Sequence, residues 1–211
     1  MKNSNRPPIV NPSTISALRS MDPIFDHIYR EYGQPPSWSR PEGFETLSKI
    51  ILEQQVSLQS AHATFCRLKG YVKDFTPSNI LDTPTDVMRT LTVSRQKSRY
   101  LKCLAEELEE GRLDLISLSQ YDPTEIFSRL ISVTGIGQWT IEVYMMFALQ
   151  QTDIFPSGDI ALINTVKELK SVVSKEDVVE VASNWSPYRT AAAYFLWHYY
   201  LEKRGRKNEF V

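Results

Sequence analysis

Residues 134–140 read TGIGQWT, and this short stretch decides how the rest of the chain is interpreted. It places two of the eight glycines on either side of one isoleucine, directly before a segment with helical spacing. Gly135 and Gly137 allow the positive φ that a sharp turn between two helices needs. The first amides of the second helix lack intrahelical acceptors and carry the positive end of its dipole, so they can hold a phosphate oxygen. Alone, the turn is weak evidence for anion binding and is more typical of plain chain reversal.

The pattern on both sides of this turn is helical almost throughout. Asp22-Pro23 and Asp122-Pro123 each combine an N-cap residue with a proline at the first helical position. Residues 94–111 read as a long amphipathic helix that stops at a glycine, and the helix from Pro187 is apolar on most of its circumference. No strand pattern of useful length competes. We therefore predict an all-α fold with the last helix in the core.

Composition narrows the functional classes. The 211 residues carry a net charge of −1, and no apolar run approaches the roughly 18 residues of a membrane span. The beginning of the chain lacks the apolar stretch of a secretory signal. The two cysteines, Cys66 and Cys103, have no metal-ligand spacing and exclude a four-cysteine iron–sulfur cluster. We expect no cofactor and no membrane partner.

Three motifs in one order resemble a known family. LISVTGIGQWTIEVYMMFALQQTDIFPSGDIAL (130–162) resembles the helix–hairpin–helix plus Gly/Pro/Asp segment of the HhH-GPD DNA glycosylase superfamily. ILEQQVS (51–57) and WSPYRTAAAYFLW (185–197) resemble signature stretches of its AlkA-like 3-methyladenine glycosylases. The resemblance covers about residues 40–200. It is closest to the compact form, which lacks the extra N-terminal sheet domain of the long bacterial members.

This resemblance implies two helical lobes with the DNA- and base-binding cleft between them. We expect one unit over residues 1–211, with a central lobe at 57–150 that includes the hairpin at 133–138. The second lobe would comprise residues 12–56 and 151–200, followed by a basic tail at 201–211. The implied reaction is hydrolysis of the N-glycosidic bond of alkylated purines of the 3-methyladenine or 7-methylguanine type. The base is flipped out first, and an abasic site remains.

The resemblance also assigns the chemistry. Asp159 takes the position of the catalytic carboxylate, which stabilises an oxocarbenium-like sugar and orients the attacking water. Trp139 is the leading aromatic candidate for a cationic base, with Tyr144 and Trp38 as further candidates. Bifunctional relatives carry a lysine where this chain has Trp139, so we expect a hydrolase without lyase activity. Without the family context, Asp159 is equally a helix cap, and Trp139 is core packing.

The remaining site residues are predicted DNA contacts. The hairpin would hold a phosphate through the amides of Gly135 and Gly137, helped by Thr140. Lesion-side contacts are predicted at Gln54, Gln55, Ser57 and His62, for which the alternative is a polar helix surface. A minor-groove wedge is predicted at Val93, flanked by Ser94, Arg95 and Lys97. The superfamily often places a cation on hairpin carbonyls, here those of residues 133–137, although no metal is required. Arg189 is interpreted as structural, tying the last helix to the core.

Several positions depart from the family pattern. Thr134 stands where proline is common, Ala161 and Thr92-Val93 stand where glycine is common, and Glu53 puts a negative charge beside the glutamine pair. None removes the carboxylate. They leave open a catalytically silent paralogue that binds abasic or distorted DNA, and a purely structural helical protein.

The expected partner is double-stranded DNA with alkylated bases or abasic sites, bound by a monomer. The basic stretch EKRGRK (202–207), together with the compact, fungus-like form, favours a nuclear location; a bacterial source would imply the cytoplasm.

Overall fold

The computed structural model describes residues 8–206, and within them it is entirely helical. It contains twelve α-helices and one short 3-10 helix. The α-helices are α1 (Pro12–Met21), α2 (Pro23–Tyr32), α3 (Phe44–Glu53), α4 (Leu58–Val72), α5 (Pro77–Asp82), α6 (Thr85–Thr90), α7 (Arg95–Glu109), α8 (Pro123–Ile131), α9 (Gln138–Phe147), α10 (Ile160–Lys170), α11 (Lys175–Ser183) and α12 (Arg189–Lys203). The all-α prediction is confirmed.

Side-chain caps set several of the helix starts. The Asp22 carboxylate accepts the amide of Ile24 at 3.2 Å, and the helix then begins with proline. The carboxylate of Asp122 does the same at the start of α8. Ser174 and Asp177 form a complete capping box before α11. Each such cap contributes about 1 kcal/mol, so these helix starts are encoded locally.

Two compact units divide the described chain. The terminal unit comprises residues 8–39 and 150–206, and the central unit comprises residues 40–149. The sequence predicted a boundary between residues 56 and 57, which would put α3 in the terminal unit. The structure puts α3 in the central unit instead. That helix packs against α4, α7 and α9 of the central unit. The amide of Arg40, at the beginning of the unit, donates to the Phe147 carbonyl at 2.8 Å, and its guanidinium lies 5.0 Å from the Phe147 ring.

The terminal unit is built around α12, as the apolar pattern predicts. Phe195 on α12 packs edge-on against Phe25 of α2 at 5.7 Å, and Phe25 packs against Trp185 at 5.1 Å. The indole of Trp185 donates to the buried Asp22 carboxylate at 3.0 Å. Lys170 of α10 donates to the same carboxylate at 3.1 Å. The cap of α2 therefore also holds α10 and the start of the last helix.

The predicted basic tail lies only partly within the described residues. Lys203 forms an ion pair with Glu168, and the Arg204 guanidinium lies 3.8 Å from the centre of the Tyr200 ring. Residues 207–211, including Lys207, lie outside the described residues. None of the helices described combines the length and apolar character needed to cross a membrane.

Candidate nucleic-acid interface

The predicted hairpin is a tight turn at residues 132–137, between the end of α8 and the start of α9. The Ile136 amide donates to the Val133 carbonyl at 3.1 Å and closes the turn. Gly135 has φ +94°, and a Cβ atom there would lie 2.1 Å from Cγ of Tyr100. A left-handed backbone and a ring this close can both be accommodated only by glycine.

The turn presents amides to an anion. Among the described residues, the N–H groups of Gly135 and Gly137 have no hydrogen-bond acceptor. Gly137 is the N-cap of α9, so both groups lie beside the positive end of that helix. Two amides at a helix N-terminus provide the geometry that phosphate oxygens occupy in proteins. The two amides are thus placed as such a contact requires, and the phosphate contact itself stays a prediction.

Gln54 connects the hairpin to the end of α3. Its side-chain amide donates to the Gly135 carbonyl and to the Thr140 hydroxyl, each at 2.9 Å. The Thr140 side chain lies beneath the turn, because the residue is only 2% exposed. The direct phosphate contact predicted for Thr140 is therefore wrong; its hydroxyl accepts from Gln54 instead. The lesion-side contact predicted for Gln54 is likewise replaced by a hydrogen bond to the hairpin.

The loop after Gln54, residues 55–57, points polar and apolar groups to solvent. Gln55 is exposed and has φ +56°, an uncommon value for a residue with a Cβ. Val56 is 45% exposed, and Ser57 caps α4. His62 is exposed about one turn further along α4, with Nε2 3.4 Å from Sγ of Cys66. Sequence reasoning missed Val56, whose only signal was an apolar residue within a polar loop.

The 91–94 turn does not provide the predicted wedge. Val93 is 1% exposed and belongs to the core of the central unit, so it cannot insert between bases. Thr92 takes the strained position with φ +68°. Its hydroxyl is held by the Thr64 hydroxyl at 2.9 Å and by the Arg67 guanidinium at 3.0 Å. These bonds hold Thr92, a residue with a Cβ, in this left-handed conformation.

The two basic residues beside this turn, Arg95 and Lys97, differ in whether their side chains are held by other parts of the central unit. Lys97 Nζ donates to the Leu52 carbonyl at 2.6 Å, so the phosphate contact predicted for Lys97 is replaced by a contact with α3. Partial burial lowers the pKa of Lys97, against an opposing effect of Glu53. The Arg95 side chain is exposed and forms no hydrogen bond or ion pair within the described chain. Ser94 caps α7 through the Lys97 amide at 3.2 Å.

Glu53 does not present its negative charge to the 54–57 loop. Arg40 binds both carboxylate oxygens of Glu53, at 3.1 and 3.0 Å, and both side chains are less than a tenth exposed. Burial, followed by the charge of Arg40, lowers the pKa of the neighbouring Lys49. The Glu53 carboxylate is therefore paired with Arg40 inside the central unit and does not face the 54–57 loop.

The aromatic candidates separate by exposure. Tyr144 is fully buried; its hydroxyl accepts the Gly43 amide at 2.9 Å, and burial raises its pKa to about 12. Trp38 is 4% exposed and packs edge-on against Tyr194 at 5.1 Å within the terminal unit. Rings buried in this way cannot receive a base, so the pocket roles predicted for both are wrong. Trp139, in the first turn of α9, is partly exposed, and its role stays a prediction.

The predicted catalytic carboxylate caps α10. Oδ1 of Asp159 accepts the Leu162 amide at 3.0 Å, and the Asp159 amide donates to the Pro156 carbonyl at 2.9 Å. The residue is partly exposed, and Ile160 beside it is 73% exposed. The cap fixes one carboxylate oxygen, and the catalytic role of Asp159 stays a prediction.

The 150–159 segment that leads to Asp159 is held by the start of α12. The Asp153 carboxylate accepts Nε of Arg189 at 2.7 Å, its Nη2 at 2.9 Å and the Ser186 hydroxyl at 2.8 Å. Burial by itself would raise the pKa of Asp153, but these hydrogen bonds outweigh it, and the pKa lies below its ordinary value. Arg189 is therefore a structural residue, but it ties the last helix to the 150–159 segment and not, as was predicted, to the core. The partly exposed Tyr188 precedes it, an aromatic site candidate that sequence reasoning missed.

Nothing in the described residues favours a metal site. They contain no group of three or more His, Cys, Asp or Glu side chains that could hold a metal ion. Of the hairpin carbonyls, that of Gly135 accepts from Gln54, that of Val133 from Ile136 and that of Gly137 from Ile141. Each of these oxygens keeps a second lone pair, so the cation at the hairpin carbonyls stays a prediction, and no chemical step here depends on one.

The short glycine turn between α8 and α9 forms a helix–hairpin–helix motif in a chain whose described residues are all helical or loop. Residues 48–187 match the HhH-GPD superfamily of base excision DNA repair proteins, and the chain belongs to this family.

Named relatives and solved structures agree with this assignment. DNA-3-methyladenine glycosylase 1 of Schizosaccharomyces pombe is 30% identical over 168 residues, covering 76% of this chain and 74% of that protein. The alkylbase DNA glycosidase-like protein mag2 of the same organism is 28% identical over 202 residues, covering 91% and 94%. The structure of an S. pombe 3-methyladenine DNA glycosylase in complex with abasic DNA superposes with a TM-score of 0.78, at 27% identity, covering 88% and 95%.

Proposed function

We propose that this protein is a monofunctional DNA glycosylase that hydrolyses the N-glycosidic bond of alkylated purines and leaves an abasic site. The observation that carries the proposal is the combination of two acceptor-free hairpin amides, at Gly135 and Gly137, with the partly exposed carboxylate of Asp159 in a member of this repair family. Similarity to a 3-methyladenine glycosylase and to a structure bound to abasic DNA supports the substrate class.

The chemistry follows from the residues. The hairpin amides hold one backbone phosphate. A purine alkylated on a ring nitrogen carries positive charge, which the π face of a partly exposed aromatic ring stabilises by up to about 2 kcal/mol. Trp139 and Tyr188 are the candidate rings that we assign to this role, and both are partly exposed. The Asp159 carboxylate stabilises the oxocarbenium-like sugar and orients the attacking water. With tryptophan rather than lysine at position 139, no Schiff base forms there.

Two observations bear on a second function. The S. pombe relative mag2 is named glycosidase-like, and two predicted pocket rings, Tyr144 and Trp38, are buried. The hairpin amides would serve a protein that binds abasic or distorted DNA without excising a base. This alternative keeps the phosphate contact and predicts no base release.

One assay separates the two functions. The protein is incubated with duplex DNA that contains 7-methylguanine or 3-methyladenine, and released base is quantified. We expect release by the wild type, and a fall of at least about 100-fold for Asp159→Asn with unchanged affinity for abasic DNA. Asn remains a good N-cap, so α10 should stay folded.

Asp122→Asn is the matched control, because Asp122 caps α8 in the same way. Its release rate should equal that of the wild type. Tight binding to an abasic duplex without any release by the wild type would select the binding-only function. Unchanged release by Asp159→Asn would remove this residue from the mechanism.

A further inference from the structure

Both N–H bonds of the Gln54 side-chain amide point at the hairpin. The Gln54 Nε2 atom lies 2.9 Å from the Gly135 carbonyl oxygen and 2.9 Å from the Thr140 hydroxyl oxygen, which is in the first turn of α9. An amide group has only two N–H donors, so the donor capacity of this side chain is fully used. A single side chain thus holds the turn and the helix that follows it.

The same residue begins the 54–57 loop. Gln54 is the C-cap of α3, and the next residue, Gln55, has φ +56°. A residue with a Cβ keeps this backbone conformation only where its surroundings over-determine it. Val56 follows with 45% of its surface exposed. The direction of these two side chains therefore depends on where the hairpin holds Gln54.

We propose that Gln54 is a positioning residue that sets the 54–57 loop against the hairpin, so that the depth at which Gln55 and Val56 enter the duplex is fixed by the phosphate held at Gly135 and Gly137. This inference rests on the proposed function. Correct depth matters because extruding a base costs unstacking energy that inserted side chains must offset.

Gln54 is not needed to keep α3 in place. Arg40 binds Glu53 with two hydrogen bonds, and Lys97 donates to the Leu52 carbonyl. Ile50 and Ile51 are fully buried. These contacts remain when Gln54 is replaced, so the substitution releases the loop from the hairpin while α3 stays packed.

The test compares excision with binding in single-turnover assays. Gln54→Ala should lower the release rate of 7-methylguanine by about 10- to 100-fold, the range that small misplacements of reacting groups produce. The Kd for an abasic duplex should stay within about threefold of the wild type, because the hairpin amides are backbone groups. Gln120→Ala, at an exposed position of the 3-10 helix, is the matched control and should leave both values unchanged.

Gln54→Glu provides a signature that a purely structural role would not produce. An ionised carboxylate has no donor and faces the Gly135 carbonyl, whereas a protonated one offers a single O–H donor. The ratio of variant to wild-type release rate should therefore rise as the pH falls from 8 to 5. A ratio that is flat across this range would overturn the proposal.

Failure of this inference differs from failure of the proposed function. Release by Gln54→Ala within twofold of the wild type overturns the inference alone. Equal losses of release and of abasic-DNA affinity also overturn it, because Gln54 would then serve the phosphate site only.

If the wild type releases no base, the proposed function fails, and loop insertion is read instead from 2-aminopurine fluorescence beside an abasic site. A wild-type increase that Gln54→Ala lacks supports the positioning role, and equal signals overturn it.

Discussion

The hairpin turn of the central unit and the 150–159 segment of the terminal unit both lead into a helix N-terminus, but different forces hold them. The hairpin is held by uncharged contacts: the amide of Gln54, and the ring of Tyr100 against Gly135. The 150–159 segment is held by the ion pair of Asp153 with Arg189, and by the Thr190 hydroxyl that donates to the Gln151 carbonyl at 2.7 Å.

This difference has consequences for how each region responds to solution conditions. Amide hydrogen bonds and ring packing do not titrate in the working pH range, so the phosphate site should keep its geometry. The ion pair has a carboxylate with a lowered pKa, so its contribution is lost in acid. The 150–159 segment should therefore be more acid-sensitive than the hairpin turn.

Of the substitutions that test this comparison, Gly135→Ala should have the largest effect on stability and on DNA affinity. The new Cβ would lie 2.1 Å from the Tyr100 ring, and residue 135 has φ +94°. Either the ring or the turn must therefore move. We expect a loss of about 2 kcal/mol or more in the free energy of unfolding, and at least a tenfold rise in the Kd for abasic DNA. Denaturant titration and fluorescence anisotropy measure the two.

Gly70→Ala is the matched control, because Gly70 lies within α4 with open space around its missing Cβ. Alanine there should raise stability by about 0.5–1 kcal/mol. Equal behaviour of the two variants would contradict the role assigned to the turn.

Arg189→Ala should have an intermediate effect on stability, and this effect should be confined to the 150–159 segment. Asp153 keeps the Ser186 hydroxyl but loses its charged partner. Because the Arg189 and Asp153 side chains are 36% and 29% exposed, we expect a loss of about 1–2 kcal/mol in the free energy of unfolding. Base release should slow, while the Kd for abasic DNA should not change.

The pH dependence of this variant has a defined sign. The folded pKa of Asp153 is lowered, so its stabilisation is present above the ordinary aspartate pKa of about 3.9 and disappears as the pH falls through the folded value. The stability difference between wild type and Arg189→Ala should be full at pH 6 and shrink below pH 4. A difference that stays constant down to pH 3 would show that lost packing, not the ion pair, accounts for the effect.

The smallest expected effect separates two neighbouring cations. Arg95 is exposed, whereas the ammonium of Lys97 is held on the Leu52 carbonyl. Arg95→Gln should lower the slope of log K against log salt concentration by about 0.9, the value for one phosphate contact. Lys97→Gln should change the slope much less. Equal changes would mean that Lys97 leaves α3 when DNA binds.

Much of the fold was predictable because its signals are local. Asp22-Pro23 and Asp122-Pro123 start helices where the sequence predicts them. The glycines at 135 and 137 mark the turn itself, and α12 is apolar enough to predict its burial. Such signals lie within one turn or one helix, so they can be read without knowledge of the partner helices.

The errors in the candidate site share another origin. Val93, Tyr144, Trp38 and Thr140 are residue types that serve equally in a core and at a DNA surface. Nothing in their spacing tells which neighbours cover them. Lys97 is similar, because its reach to Leu52 depends on how α7 packs against α3.

The sequence by itself determined the helices, the glycine turn and the carboxylate at position 159, since caps, backbone freedom and residue chemistry are properties of short stretches. Only the tertiary structure decided which side chains remain exposed and which join the core. It also decided that Gln54 reaches a carbonyl 81 positions away along the chain. Burial and long-range hydrogen bonds depend on how distant segments pack, and no local pattern specifies that packing.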